Sequence, residues 1–471
     1  MSVPRILIAG LRGGGGKTLI SLGLIAAWRE QGHSVAPFKK GPDYIDAAWL
    51  SSAAARPCRN LDLFLHSPDT VLHSFHSNTV DADVAVIEGN RGLFDGMDAR
   101  GSYSSAELAK VLTTPVVLAV DCTKATRTIA ALVLGCQQLD PLVSIRGVIL
   151  NRTAGTRHQS VITAAIEETC GLSVLGAIPR LPLEAFPERH LGLVPPQEHA
   201  GEDSALGTAA AIARDNLDLD ALWSVAHSAP ALNAAKGGPA TEPTSPGEEE
   251  VRIGVFRDAA FQFYYPENLE ALQREGAELV EVSPLSDAEL PEGLDALYLG
   301  GGFPETLAPA LAENASFKES LRRAVDTGLP VYAECGGAVY LGQRLHYEGS
   351  EYAMAGVLPV GFGFRTKPQG HGYTEVETVA DNPFFEVGES MRGHEFHYTH
   401  VEASGAEELS YAFKVRRGHG FDGERDGLCH GSVLASYTHL HALGSRQWAP
   451  ALVRAASRFH SIERRATGSG P

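Results

Sequence analysis

Residues 6–18 read ILIAGLRGGGGKT: an apolar run, then a glycine-rich segment, then a lysine and a threonine. The apolar run predicts a buried strand, and the next stretch, TLISLGLIAAWRE, predicts a helix. Glycines between a strand and a helix let backbone N–H groups turn onto phosphate oxygens, while the lysine reaches the terminal phosphates and the hydroxyl holds Mg²⁺. The strict phosphate-loop pattern has a glycine where Leu11 stands, so this is a variant loop. The candidate nucleotide-binding residues are Gly13, Gly14, Gly15, Gly16, Lys17 and Thr18.

Acidic side chains follow two other predicted strands. Glu88 ends the run VAVIE, and Asp43 and Asp46 lie in the segment PFKKGPDYID. The carboxyl ends of parallel strands meet at one edge of a sheet, where a carboxylate beside a phosphate loop binds Mg²⁺ directly or through water. Taken alone, each segment also fits a solvated turn. Together with the glycine loop they predict one magnesium-nucleotide site.

The organisation of the chain is read from a composition change at residues 226–250, AHSAPALNAAKGGPATEPTSPGEEE. This stretch cannot bury enough apolar surface to offset chain entropy, so it predicts a flexible linker. On both sides, short β-branched runs alternate with helical stretches, which predicts an α/β fold of two doubly wound parallel-sheet domains. The predicted boundaries are 1–225 for the first domain, 226–250 for the linker, 251–460 for the second domain and 461–471 for a tail. The predicted strands are Ile6–Ala9, Val84–Ile87, Val116–Val120, Val148–Leu150, Leu175–Ile178, Ile253–Phe256, Leu279–Val282, Ala296–Leu299 and Val331–Ala333.

Composition narrows the class of protein. The net charge of -18 argues against a partner with a phosphate backbone, because the chain as a whole would repel nucleic acid. No stretch approaches the roughly 18 consecutive apolar residues of a membrane-spanning helix. The six cysteines form no CxxC pair, which in a chain of 471 residues indicates reduced thiols. We therefore expect a cytoplasmic protein with no nucleic-acid or membrane partner; a homodimer is compatible with these features.

A second catalytic motif is PVYAECGGAVYLG, residues 330–342, in which a buried strand leads into Cys335, two glycines and a helix. This order is typical of a nucleophile elbow, where a sharp turn exposes the thiol. The N–H of Gly336 would stabilise an oxyanion and favour the thiolate, and Gly301, in LYLGGGFPE, is a candidate second donor. His439 or His441 would be the base. The alternative is a buried cysteine that only packs.

The segment HEFHYTH, residues 394–400, carries histidines at a spacing that suggests a metal site. In a strand, however, alternation points neighbouring side chains to opposite faces. A structural or substrate-lining role is the preferred interpretation.

In combination, the variant phosphate loop and FKKGPDYID, IEGNRGLFDG, GVILNR, ERHLGLV, GGGFPE, YAECGG and ASYTHLH resemble the cobyrinic acid a,c-diamide synthase family over nearly the whole chain. The resemblance implies an ATP-dependent amidoligase domain of the phosphate-loop NTPase type, related to dethiobiotin synthetase. It also implies a class I glutamine amidotransferase domain after the linker. Such an enzyme converts tetrapyrrole carboxylates to amides, with ATP and glutamine as cosubstrates and Mg²⁺ as cofactor.

Residue by residue, the resemblance implies the following roles. Lys17 is implied to act in phosphoryl transfer and Asp46 to act at the reacting substrate. Cys335 is implied as the glutaminase nucleophile and His439 as its general base. Most class I enzymes have a glutamate two residues after this histidine, where this chain has His441. The remaining implied assignments are Thr18, Asp43 and Glu88 as metal ligands and Asn151 near the adenine.

Alternatives to cobyrinate remain open at this point. Siroheme, sirohydrochlorin and nickel sirohydrochlorin also carry acetate groups that an enzyme of this kind would amidate. Arg91, in place of a residue common in relatives, fits either a contact with a substrate carboxylate or a structural ion pair. A phosphate-loop switch ATPase that acts by binding a partner is the rival from another class, and an inactive scaffold of the same fold is a third hypothesis. The cysteine elbow argues against the switch ATPase. The inactive scaffold is opposed by the intact candidate residues Lys17, Glu88, Cys335 and His439.

Overall fold

A computed structural model gives the structure of the chain. It describes residues 3–181, 188–189, 192–193, 202–232, 251–402 and 409–467. The chain divides into two compact units, residues 1–240 and 241–471. Of the helices within the described ranges, none is long and apolar enough to cross a membrane.

The first unit is built on a seven-stranded parallel sheet with the order β3-β2-β4-β1-β5-β6-β7. Its strands are β1 Arg5–Gly10, β2 Val35–Lys40, β3 Arg59–Leu61, β4 Val84–Gly92, β5 Val116–Asp121, β6 Ile145–Thr153 and β7 Val174–Pro179, and a two-stranded ribbon follows, β8 Glu188–Arg189 and β9 Gly192–Leu193. β1 is buried along its whole length. Such strands read as continuous apolar runs because helices cover both faces of a parallel sheet.

Within the described residues of the first unit, the first six helices connect successive strands of the sheet and the last two follow the ribbon. They are α1 Lys17–Glu30, α2 Ile45–Ala54, α3 Pro68–Ser77, α4 Ser105–Val111, α5 Thr128–Leu139, α6 Thr156–Cys170, α7 Glu202–Asn216 and α8 Leu219–His227. Because β2, β4, β1, β5 and β6 are neighbours in one parallel sheet, the segments that leave their carboxyl ends share one edge. The candidate nucleotide residues lie on these segments.

The second unit contains a ten-stranded sheet with the order β11-β10-β12-β13-β22-β21-β20-β17-β18-β23, and a four-stranded sheet with the order β15-β14-β16-β19. Its strands are β10 Val251–Phe256, β11 Ala277–Val282, β12 Ala296–Leu299, β13 Val331–Glu334, β14 Arg344–Tyr347, β15 Ser350–Ala353, β16 Gly361–Phe364, β17 Gly370–Thr378, β18 Ser390–His397, β19 Thr399–Glu402, β20 Ser410–Arg417, β21 Arg425–His430, β22 Val433–Ser436 and β23 His439–Leu440. Its helices are α9 Pro266–Arg274, α10 Ala308–Glu313, α11 Ala315–Asp326, α12 Gly336–Leu341 and α13 Trp448–Thr467, with a 3₁₀ turn at Pro304–Leu307. Apolar cores cover both faces of the ten-stranded sheet.

The predicted α/β class is confirmed, and every strand predicted from the sequence lies within an observed one. The ten-stranded sheet is mixed, however, and not parallel throughout. Strands β11, β10, β12, β13 and β22 run parallel, while the pairs from β22 to β23 are antiparallel. The antiparallel strands contain many polar residues and glycines, so their alternation is weak in the sequence.

Two predicted boundaries need correction. Residues 226 and 227, assigned to the linker, form the last turn of α8. Helix α13 continues to Thr467, past the predicted domain end at residue 460, because Glu463, Arg464 and Arg465 favour helix and the first glycine comes at 468. Parts of three predicted segments lie outside the described residues. They are residues 233–250 of the predicted linker, residues 468–471 of the predicted tail, and residues 190, 191 and 194 of the motif ERHLGLV.

Candidate active sites

The glycine loop of the first unit joins β1 to α1 and ends at Gly16. Gly16 has φ 90°, and a Cβ at this position would lie 2.0 Å from Nδ2 of Asn151. Both the positive φ and the close approach therefore require glycine. The Asn151 amide donates a hydrogen bond to the Gly15 carbonyl at 3.0 Å. Asn151, implied as an adenine neighbour, thus holds the glycine loop from β6.

Lys17, the first residue of α1, is 6% exposed. Its Nζ donates to the Arg91 carbonyl at 2.8 Å and to the Arg12 carbonyl at 3.4 Å. Burial lowers the pKa of Lys17, and the nearby Lys39 lowers it further. One backbone carbonyl of β4 and one of the glycine loop thus hold the ammonium at the edge where the predicted phosphates would bind.

A buried cluster of charges lies beside the loop, at the ends of β2 and β4. Lys39 Nζ contacts Glu88 Oε1 at 2.8 Å and Asp46 Oδ2 at 2.5 Å. Burial by itself lowers the pKa of Lys39, but the Asp46 and Glu88 carboxylates more than offset it, and the net shift of the pKa is upward. The Thr18 hydroxyl donates to Glu88 Oε1 at 2.8 Å. The structure thus brings Thr18, Glu88 and Asp46 together around Lys39.

Asp43 lies at the start of α2 and is partly buried. Its Oδ1 accepts a hydrogen bond from the Asp46 backbone N–H at 2.7 Å. Burial, followed by the charge of Asp46, raises the pKa of the Asp43 carboxyl to about 7. Asp43 therefore belongs to the same acidic cluster.

These residues fit a magnesium ion that arrives with a nucleotide. Within the described ranges, no three histidine, cysteine or acidic side chains converge closely enough to hold a metal by themselves. Mg²⁺ bound with phosphates needs only one or two protein carboxylates. Glu88 is fully buried, and its Oε2 has no hydrogen-bond partner among the described residues. An unsatisfied buried carboxylate oxygen beside the Thr18 hydroxyl is the donor set that such an ion requires.

Two arginines at this edge share one carboxylate. Asp121, at the end of β5, accepts from Arg12 Nη2 at 2.8 Å and from Arg152 Nη1 at 2.9 Å. This bridge ties the glycine loop to β5 and β6. Arg91 is exposed and has φ 51°, and no ion pair of its side chain occurs within the described residues. The structural ion pair considered for Arg91 is therefore not observed in that part of the chain.

The second unit places Cys335 at a strained turn between β13 and α12. Its φ is 47° and its ψ is -103°, a conformation that is costly for a residue with a side chain. A Cβ at Gly336 would lie 2.9 Å from the Gly302 nitrogen, so the turn needs a small residue there. Strained backbone at a nucleophile is the geometry of an elbow. Burial raises the pKa of the Cys335 thiol, and the Gly336 N–H acts in the opposite direction.

The loop GGGFPE contacts both the elbow and His439. A Cβ at Gly301 would lie 2.6 Å from Cε1 of His439, so the ring edge bearing Cε1 faces this glycine. The Gly301 carbonyl accepts hydrogen bonds from the backbone of residues 262 and 263. Gly302, rather than Gly301, is the loop glycine whose nitrogen approaches Gly336. The Gly302 nitrogen is therefore a further candidate donor beside the elbow, next to the predicted Gly301.

His439 and His441 have different surroundings. His439 Nδ1 lies 3.3 Å from Oε2 of Glu334, the residue before the nucleophile. His441 Nδ1 accepts from the Leu443 N–H at 3.2 Å, and its Nε2 lies 3.7 Å from Oε2 of Glu267. Both rings are buried. Of the two candidate bases, His439 is the one that faces the loop GGGFPE.

The segment HEFHYTH runs alongside the cysteine site. His394 pairs with His439 between β18 and β23, and their rings stack at a centroid distance of 4.9 Å. His397 stacks on Tyr437 at 3.6 Å. His400 lies on β19, in the four-stranded sheet. The three histidines therefore point to different surroundings, and two of them line the site.

Sequence reasoning missed two buried carboxylates at this site. Glu334 was overlooked, although an acidic residue inside the apolar run PVYAEC is itself a signal, because glutamate is rarely buried without a partner. Asp426 accepts from Ser436 Oγ at 2.7 Å and from the backbone N–H groups of residues 437 and 438 at 3.0 and 3.1 Å. It supports the turn that leads to His439. No local pattern in the sequence marks Asp426.

Comparison with known proteins agrees with this geometry. Residues 6–194 match the CobQ/CobB/MinD/ParA nucleotide binding domain, and residues 252–447 match the CobB/CobQ-like glutamine amidotransferase domain. A domain that uses ATP and a domain that hydrolyses glutamine, in one chain, define a glutamine-hydrolysing amide ligase.

The whole chain is also similar to curated proteins named cobyrinate a,c-diamide synthase. It is 44% identical to that of Magnetococcus marinus, over 96% of this chain and 97% of the relative. It is 40% identical to that of Archaeoglobus fulgidus, over 97% of this chain and 98% of the relative. It is 37% identical to one from Dehalococcoides mccartyi, over 98% of this chain and 100% of the relative. The chain belongs to the cobyrinate a,c-diamide synthase family.

Proposed function

We propose that this enzyme converts the a and c acetate carboxylates of cobyrinate to amides in cobalamin biosynthesis, using ATP and glutamine. The main support for this proposal is the 44% identity to a cobyrinate a,c-diamide synthase over 96% of the chain. The geometry agrees with it, because each unit presents the parts that its half of the reaction needs. The siroheme-type acceptors, the switch ATPase and the inactive scaffold have no comparable support.

In the first unit, ATP would transfer its terminal phosphoryl group to a substrate carboxylate and form an acyl phosphate. Lys17 and the N–H groups of residues 13–16 would bind the phosphates, and Asp46 would lie at the reacting carboxylate. Ammonia would then attack the acyl carbon and displace phosphate. Asn151 would hold the loop in shape while the nucleotide binds.

Thr18 and Glu88 would hold Mg²⁺, with Asp43 close by. Bound Mg²⁺ neutralises negative charge on the phosphates. The support is the unsatisfied Glu88 Oε2 and the Thr18 hydroxyl next to it. Lys39 would keep the carboxylates in place before nucleotide and metal arrive.

In the second unit, the Cys335 sulfur would attack the amide carbon of glutamine. Burial raises the pKa of the Cys335 thiol, so it needs a base as the carbon–sulfur bond forms. His439 would take this proton and deliver it to the departing ammonia, and would then activate the water that hydrolyses the thioester. Gly336, with Gly301 or its neighbour Gly302, would donate to the oxyanion.

We further propose a cytoplasmic location, where ATP and glutamine are available. A homodimer stays a prediction, which the mass of the purified protein in solution would decide.

The test offers cobyrinate, siroheme and sirohydrochlorin in parallel to the purified protein with ATP, Mg²⁺ and glutamine. Each carboxylate converted to an amide lowers the product mass by about one dalton. We expect cobyrinate to gain two amides and the other two to be unchanged, and omission of ATP to abolish the change. Amidation of siroheme or sirohydrochlorin without amidation of cobyrinate would refute the proposed substrate.

A further inference from the structure

Glu334 occupies the last position of β13, directly before the nucleophile. Alternation along the strand places Tyr332 and Glu334 on one face, and the chain then turns sharply at Cys335. The Glu334 side chain is fully buried. A carboxylate in such a place has to be satisfied by hydrogen bonds.

Four donors surround the Glu334 carboxylate. The Leu440 N–H and the Tyr332 hydroxyl donate to Oε1, at 3.1 and 3.2 Å. The Tyr298 hydroxyl lies 3.3 Å from Oε2 and itself accepts from the Asn268 amide at 3.4 Å. His439 Nδ1 is the fourth, at 3.3 Å from Oε2. A carboxylate offers about four acceptor positions, so these four donors match its hydrogen-bonding capacity.

The position of Glu334 determines which ring nitrogen of His439 carries the proton. A carboxylate only accepts hydrogen bonds, so Nδ1 of His439 donates and Nε2 keeps its lone pair. That lone pair lies at the ring edge beside Gly301, in the loop that also contacts the elbow. His439 is therefore held in the tautomer that a general base requires.

We propose that Glu334 is the positioning carboxylate of the glutaminase site, holding His439 in its reactive tautomer and stabilising its protonated form. The inference rests on the glutaminase half of the proposed function and is independent of the tetrapyrrole. As the bond between Cys335 Sγ and the amide carbon forms, the thiol proton moves to Nε2 of His439. As the carbon–nitrogen bond breaks, the same proton goes to the leaving ammonia. The imidazolium between these two events is paired with Glu334.

Other ionisable groups near His439 do not take this role. His441, at the position where most class I enzymes have a glutamate, faces Glu267 and the Leu443 N–H. His394 stacks on His439 from β18, and burial, with His439 next in effect, holds the pKa of His394 well below its usual value. A neutral His394 leaves Glu334 as the counter-charge in contact with His439.

The test compares Glu334→Gln with wild type for glutamine hydrolysis, measured without any tetrapyrrole. Glutamine has the same shape but cannot accept four hydrogen bonds, and its NH₂ would favour the other tautomer of His439. We expect kcat/KM to fall about 100-fold or more, as when the carboxylate of a catalytic triad is neutralised. The acid limb of the pH profile should also move by about one unit to lower pH, because the imidazolium has lost its partner. A loss below about 5-fold would overturn the proposal.

Two further variants separate positioning from folding. Glu334→Asp keeps the charge, so it should recover at least about 10-fold over Glu334→Gln and restore the acid limb. Glu267→Gln removes a buried carboxylate that faces His441, and its glutamine hydrolysis should stay within about 3-fold of wild type. An inactive Glu334→Gln with an unmoved acid limb and no recovery in Glu334→Asp would show a structural role only and refute the inference. Failure of cobyrinate amidation would leave these hydrolysis results unchanged, so the two proposals fail separately.

Discussion

The nucleotide site and the cysteine site solve opposite electrostatic problems. At the nucleotide site, charges of opposite sign are in direct contact, because Lys39 lies between Glu88 and Asp46. At the cysteine site, the nucleophile is a thiol whose pKa is raised by burial, and His439 Nδ1 lies 3.3 Å from the Glu334 carboxylate, a pair that carries two charges only when the histidine is protonated. The first site is organised to receive a highly charged ligand, and the second to create charge during the reaction.

The backbone is used differently as well. The loop before α1 is made of glycines, which reach positive φ without strain and present N–H groups. The turn before α12 forces positive φ on Cys335, which carries a side chain. The glycine loop can therefore bind a nucleotide without backbone strain, whereas the turn that exposes the nucleophile is strained and has to be held by tertiary structure.

Inactivating one site at a time tests most directly whether the two sites differ in function. Cys335→Ser should reduce glutamine-dependent amidation at least about 1,000-fold and leave ammonium-dependent amidation within about 2-fold of wild type. Lys17→Met should have the opposite pattern, because it removes a charge that stabilises phosphoryl transfer. It should lower amidation from either nitrogen source about 100- to 1,000-fold while glutamine hydrolysis persists. Steady-state assays of amidation with glutamine or with ammonium chloride, together with an assay of glutamine hydrolysis, measure both patterns. Loss of ammonium-dependent amidation in Cys335→Ser, or loss of glutamine hydrolysis in Lys17→Met, would contradict the division of labour.

A second prediction concerns stability in the charged cluster. Lys39→Met leaves the fully buried Glu88 and the partly buried Asp46 without their cation, which should destabilise the first unit by about 3 kcal/mol. The corresponding shift in thermal unfolding is roughly 6–12 °C downward, and added Mg²⁺ should recover part of it. Lys110→Met, which removes a partly exposed lysine paired with Glu107 and Asp140, should cost about 1 kcal/mol or less. Calorimetry of the three proteins measures this, and equal shifts for the two variants would show that the cluster contributes no special stability.

The smallest expected effect is a pH dependence at Asp43. Its pKa is raised to about 7 in the folded chain, so ionisation is disfavoured there relative to the unfolded chain. The contribution of this group to stability is therefore full below the unfolded pKa and is lost as pH rises through the folded pKa. Asp43→Asn should match wild type near pH 4 and be more stable above pH 7, on the order of 1 kcal/mol after allowance for solvent screening.

Melting temperatures at several pH values, without metal or nucleotide, test the Asp43 prediction. Asp69→Asn, at an exposed position in the first turn of α3, is the matched control and should follow wild type at every pH. A stability difference that shrinks as pH rises would contradict the sign derived for Asp43.

Much of both sites could be predicted from sequence because their signals are local. The strand, glycine loop and helix around Lys17 are contiguous, and so are the strand and elbow around Cys335. The antiparallel half of the second sheet was not predicted, since strands such as GHGYTEVET alternate weakly in polarity. The predicted domain ends at residues 225 and 460 fall inside helices that continue to His227 and Thr467, because helix ends depend on packing as well as composition.

The sequence by itself determined the fold class, the phosphate loop and the cysteine elbow, because chain periodicity and the conformational needs of glycine act over a few neighbouring residues. Only the tertiary structure decided which ionisable side chains contact each other. Glu334 and His439 are 105 residues apart, and Lys39 and Glu88 are 49 apart. Their pairing follows from the order of strands in each sheet and from the register of β18 with β23. Burial then makes each pairing obligatory, since an unpaired charge inside the protein would cost several kcal/mol.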